Sequence, residues 1–163
     1  MQGDTRWRLL DVLTVLSTPL IYSVLLPMAV LDVWVSAYQY LCFPIYGIAP
    51  VKRSQYFSID RYKLPYLTWW EKVNCTYCAY GNGVLAYVTA VASETEQYWC
   101  PIKHAHRPKA THARYEQFAA YGDEKAYRRR LGALRAQLAG PGLRPRGMKP
   151  PRRYHPWPSV RRA

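Results

Sequence analysis

Four side chains in the middle of the chain have the chemistry and spacing to hold a soft metal ion or to cycle between thiol and disulfide. Cys75-Thr76-Tyr77-Cys78 is a C-x2-C pair, and Cys100-Pro101-Ile102-Lys103-His104 follows after twenty-one residues. Two thiolates on a tight turn can share one ion, and Cys100 and His104 at i, i+4 would lie on one helical face. Together they make a Cys3His set, a known composition for structural zinc. The set depends on the conformation of Val84 to Trp99. As one straight helix, those sixteen residues span about 24 Å and hold the two pairs too far apart for one ion. As a strand pair turning near Ser93 to Thr95, they bring the pairs together in a treble-clef or ribbon-like zinc finger. A coloured, redox-active sample would indicate iron instead of zinc.

Two other uses of the same residues stand beside the metal site. Cys75 and Cys78 have the spacing of a dithiol redox pair, in which one thiol resolves the other. Small cysteines also fill tight aromatic cores, and Cys42 in the apolar run reads that way. His106 and His112 continue the basic stretch HAHRPKATHAR, where surface histidines are the expected reading and auxiliary ligands the second. Catalysis has little support. Glu94 and Glu96 have no context that argues a shifted pKa, and there is no nucleophile elbow and no H-E-x-x-H. Gly81-Asn82-Gly83 lacks the G-K-[ST] of a phosphate loop and reads as a turn.

The elements around these residues are unequally clear. Val51 to Leu67 alternates tyrosines with basic residues, a pattern suited to a connector at a membrane surface. Val84 to Trp99 carries signals for both strand and helix. A short helix is expected from Thr111 to Tyr121, stopped by Gly122. The strongest soluble helix follows. Asp123 and Glu124 open it, Tyr127, Leu131, Leu134 and Leu138 share one face, and Gly140 closes it. Its other face carries Arg128, Arg129, Arg130 and Arg135. From Pro141 onward, six prolines and seven Arg/Lys in twenty-three residues make a basic tail that builds no core.

Upstream lies the most decisive segment. Leu9 to Leu31 is twenty-three residues with one charge, Asp11, and a helix of about 20 residues crosses a bilayer. Pro19 and Pro27 are tolerated as kinks in a spanning helix. The run continues beyond Asp32 through Trp34, Tyr38, Tyr40, Phe43 and Tyr46, an aromatic density typical of the headgroup layer. Val35-Ser36-Ala37 resembles a signal cleavage site, but signal apolar regions are only about 7–15 residues long. Two geometries fit: a single span with Asp32 at the exit, or a re-entrant hairpin broken near Pro27. Arg6 and Arg8 before the segment are outnumbered by Lys52, Arg53, Arg61, Lys63 and Lys72 after it. The C-terminal part is therefore expected in the cytosol, where cysteines stay reduced.

Most of the formal charge of +13 falls after Pro50, while the mean hydropathy is −0.29 although half of the residues are apolar. Such a basic region favours anionic headgroups or an acidic protein partner, with nucleic acid a weaker alternative carried by Tyr154, His155 and Trp157 among the tail arginines. The strings LDVWVSAYQYLCFPIYGI, EKVNCTYCAYGNG and ETEQYWCPIKHA resemble a group of small bacterial membrane proteins over Leu31 to Tyr121. The resemblance implies a bacterial inner membrane and brings no activity or cofactor.

The expected fold is mainly α: a transmembrane or re-entrant anchor over 1–50, a small Cys/His and helical cytosolic domain over 51–140 with a zinc-finger-like element, and a basic tail over 141–163. The expected role is a non-enzymatic membrane-anchored accessory or scaffold protein. A membrane-associated metal or thiol redox protein and a membrane-tethered nucleic-acid binder are the alternatives.

Overall fold

The computed structural model describes residues 3–140, with side chains described from Val12; the basic tail lies outside the described residues. Four helices carry the fold: α1 (Gly3–Ser23), α2 (Leu25–Tyr46), α3 (Trp69–Trp99) and α4 (Glu124–Leu138). Single 3-10 turns occur at Arg53–Gln55, Arg61–Lys63 and Tyr115–Gln117. Among the described residues there is no strand, only isolated bridges from Ile48 to Ala139 and from Ile102 to Ala119.

α1 and α2 form nearly one apolar helix. Val24 between them stays in the right-handed helical region, and its carbonyl accepts the Met28 N–H at 3.2 Å. Pro27 has no N–H to offer, so the ladder slips there without reversing the chain. The hairpin expected near Pro27 is therefore not formed. The second expectation for this segment, Asp32 as an exit marker, also changes. Asp32 is buried and takes two bonds from the Arg53 guanidinium, at 2.9 and 2.6 Å, and a third from the Tyr80 hydroxyl at 3.1 Å. Burial and this carboxylate acceptor together push the Tyr80 phenol above its ordinary range.

α2 and α3 run side by side in the same direction. Tyr22 bonds Asn74, the Ser36 hydroxyl meets that of Tyr87, and Tyr46 packs on Tyr98 and Trp99. Parallel neighbours require a return path, and residues 47–68 supply it. The Gln39 amide clips both backbone groups of Val51, Arg53 reaches Asp32, and Phe57 reaches α3.

Val84 to Trp99 belongs wholly to α3. Val84, Tyr87, Ala90 and Val91 are buried at helical spacing, and that burial outweighs the strand preference of Val and Tyr. Thr68 starts the helix with a capping box: its hydroxyl accepts the Glu71 N–H, and the Glu71 carboxylate accepts from Thr68. Those bonds hold the Glu71 carboxyl below the usual carboxylate range.

Gly81-Asn82-Gly83 does not break the chain but lies inside α3. A Cβ at Gly81 would sit 3.1 Å from the Met28 sulfur, and one at Gly83 would sit 2.8 Å from the Phe57 ring. These glycines let α2 and the return segment approach. Gly83→Ala should therefore destabilise, because the ring clash outweighs a helix-propensity gain of about 1 kcal/mol. Gly132→Ala in α4, with nothing within 4 Å, should stabilise by about that amount. Thermal melts of the two variants would check the opposite signs.

The helix expected over Thr111 to Tyr121 is reduced to the turn at Tyr115–Gln117. Ala119 donates to the Pro101 carbonyl at 2.9 Å and accepts from the Lys103 N–H at 2.8 Å, a bridge that requires extended backbone. Gly122, at φ +79°, then turns the chain, and Asp123 caps α4 by accepting the Ala126 N–H at 2.8 Å. α4 buries Ala126, Leu134 and Leu138 as its periodicity predicts. Its end is tied to the turn after α2, through Ala49 N–H to Leu138 O and Gly140 N–H to Gly47 O. One core thus joins Phe43 and Ile48 to Val51, Tyr87, Val91 and Leu138, drawing on both sides of residue 50.

Candidate functional site

The four sequence-derived ligands do not form one site. Cys75 and Cys78 lie in the second and third turns of α3, and Cys100 is its C-cap. The twenty-one helical residues between Cys78 and Cys100 place them about 33 Å apart along the axis, against Zn–S bonds of about 2.3 Å. Cys100 and His104 do not share a helical face either, because the chain leaves the helix at Cys100 and runs into the Ile102 bridge. No group of three or more His, Cys, Asp or Glu able to hold a metal occurs among the described residues. The zinc-finger-like element is replaced by a straight helix. All four cysteines are free thiols. Cys75 and Cys78 still share a helical face at i, i+3, with Cβ atoms about 5–6 Å apart, beyond the ~3.8 Å of a disulfide.

The chemistry-bearing residues that do converge sit at the other end of α3. Arg114, 5% exposed at its side chain, pairs with Glu94 at 2.6 Å and donates to the Gln97 carbonyl oxygen at 2.9 Å. The Gln97 amide nitrogen in turn donates to the Leu134 carbonyl at 2.7 Å, which links α4 to the same knot. Beside it, His112 Nε2 lies 2.8 Å from the Glu96 carboxylate, and the ring packs edge-on against Phe118 and Tyr115. The other ring nitrogen, Nδ1, is buried with no hydrogen-bond partner among the described residues. His104 stacks on Tyr115 at 5.8 Å, and its backbone N–H donates to the Tyr115 hydroxyl at 2.8 Å.

Glu96, His104, His112 and Tyr115 border a cleft of about 460 Å³ whose walls also include Thr89, Pro108 and Thr111. It holds a histidine–carboxylate pair but no cysteine or serine. Its evident work is to fasten residues 100–123 and α4 to α3. Arg114 and His112 escaped the sequence reading because HAHRPKATHAR looks like a solvated basic run.

The third feature is a surface. Leu26, Val30, Val33, Trp34, Tyr40, Leu41 and Ile45 recur at helical spacing along α2 and are all exposed, opposite the face that buries Asp32, Gln39 and Phe43. Beside this stripe, an apolar groove of about 480 Å³ runs between the helices, lined by Val35, Tyr38, Val88, Val91, Ala92 and Trp99 among others. No protein-family model, curated relative or solved structure matches the chain.

Proposed function

We propose that this chain is a non-enzymatic, membrane-anchored scaffold. α1 and the first part of α2 enter the bilayer, the rest of the α2–α3–α4 body stands in the cytosol, and the exposed outer face of α2 there receives an apolar helix of a membrane partner. The basic tail adds contacts to anionic headgroups.

The observation that carries this reading is a mismatch of lengths. The apolar run Val12–Tyr46 is thirty-five residues long, and only 6% of its most apolar stretch is buried. A core helix of a soluble protein would be buried, so this exposure favours insertion. Thirty-five residues extend about 52 Å, whereas a bilayer core needs about 30 Å. Some fifteen apolar residues are left for another apolar surface to cover. The stripe is continuous with the anchor, so a helix leaving the same bilayer reaches it without crossing water.

Retention of the segment has support from the core. Cleavage after Ala37 would remove Asp32 from Arg53 and Ser36 from Tyr87. The excess of Lys and Arg after the run supports a cytosolic body.

Alkaline carbonate washing of membranes, with a C-terminal tag, tests the anchor. The full chain should stay in the pellet with its tag digestible only in inverted vesicles, and deletion of residues 3–20 should release it. Recovery of a mature chain beginning at Tyr38 would overturn the proposal.

A further inference from the structure

We propose that the groove between α2 and α3 is the seat of this chain's own tail, with Pro145–Pro151 laid along it. Val35, Val88 and Ala92 form apolar walls, Tyr38 and the exposed Trp99 supply rings, and Glu96 is the only charged residue that lines it. Between Val88 and Trp99 the groove follows α3 for eleven residues, about 17 Å. Proline-rich segments occupy aromatic-lined grooves in the polyproline conformation, at low entropic cost because each proline ring already fixes φ.

The tail sequence matches the groove in pattern. Polyproline has three residues per turn and rises about 3.1 Å per residue. At that period Pro145, Met148 and Pro151 share one face and are all apolar, while Arg146, Lys149 and Arg152 share the next and are all basic. The seven residues Pro145–Pro151 then extend about 22 Å, enough to cover the groove. With Pro145 on Trp99, Arg146 comes beside Glu96, one helical turn back along α3.

The tether is short. The Gly140 N–H donates to the Gly47 carbonyl at 3.1 Å, and the neighbouring Tyr46 packs edge-on against Trp99 at 5.4 Å. Residue 140 therefore stands beside the mouth of the groove, and Pro141–Arg144 add about 13 Å of reach. Such a tether holds the segment at a local concentration on the order of millimolar, so a weak contact keeps it seated. The seated segment runs from Trp99 towards Val35, and so towards the anchor, which carries Arg152 and Arg153 to the headgroups. That last step rests on the reading above; the seating itself does not.

Trypsin reads the seating directly, because it cuts after Arg146 and Arg153 but not before Pro145 or Pro150. Each rate in the full chain is normalised to that in the isolated peptide 141–163. In neutral micelles, cutting after Arg146 should be roughly tenfold slower than after Arg153, a protection of about 1.4 kcal/mol. Ala92 is exposed, so Ala92→Trp fills the groove without touching the core and should equalise the two rates. Ala92→Arg, which opposes the basic face, should do the same. Equal rates in the unaltered chain, or protection that survives both variants, overturn the proposal. On anionic vesicles, cutting after Arg153 should slow as well. If it does not slow while Arg146 stays protected, the headgroup contact is wrong and the groove assignment stands.

Discussion

Replacing Arg114 by Met should lower the unfolding free energy by about 3–5 kcal/mol, the cost of stripping the partner from a buried charge. The side chains of Arg114 and Glu94 are 5% and 15% exposed, so water repays little of the lost interaction. Arg114 also satisfies the Gln97 oxygen, whose own amide holds α4 through the Leu134 carbonyl. The loss should thus appear first as loosening of α4 and of residues 100–123, visible as faster amide exchange there than in α2. The double variant Glu94→Gln with Arg114→Met should regain part of the stability, because no buried charge remains. Denaturation in detergent micelles measures both. A loss below about 1 kcal/mol for Arg114→Met would show that the knot is solvated and contributes little.

Phe43→Ala should cost a similar amount, about 3–5 kcal/mol. Phe43 is fully buried, packs edge-on against Tyr38 and belongs to the core with Val91 and Leu138. Its neighbours give the contrast. Leu41 and Ile45 are 63% and 78% exposed, so Leu41→Ser and Ile45→Ser should change stability by no more than about 0.5 kcal/mol. If the outer face of α2 receives a partner helix, those two variants should lose that association while folding normally. The apolar run thus has two faces with separable roles. Equal destabilisation by all three substitutions would mean that no such division exists.

Parts of the fold were legible because local patterns and tertiary packing agree. Asp123, the Leu131–Leu134–Leu138 spacing and the arginine face define α4, and the structure adds only its partners. Disagreement arose where a local signal had two causes. Gly81 and Gly83 suggest a turn because glycine frees the backbone, yet here they serve close approach to Met28 and Phe57. Asp32 in an apolar run suggests a membrane boundary, yet Arg53, twenty-one residues later, neutralises it inside the fold. Cys75, Cys78, Cys100 and His104 have metal spacing in one dimension. A thirty-one-residue helix then separates them in three.

By itself, the sequence determined the long apolar helix, the basic excess after it and the amphipathic α4, since hydropathy and periodicity are properties of neighbouring residues. Tertiary structure alone decided which face of α2 is core, that α2 and α3 run parallel with a return segment between them, and that the chemistry-bearing side chains converge at Glu94, Glu96, His112 and Arg114. Those outcomes depend on pairings between residues as far apart as Gly47 and Gly140, and no local pattern encodes which distant partner will pack best.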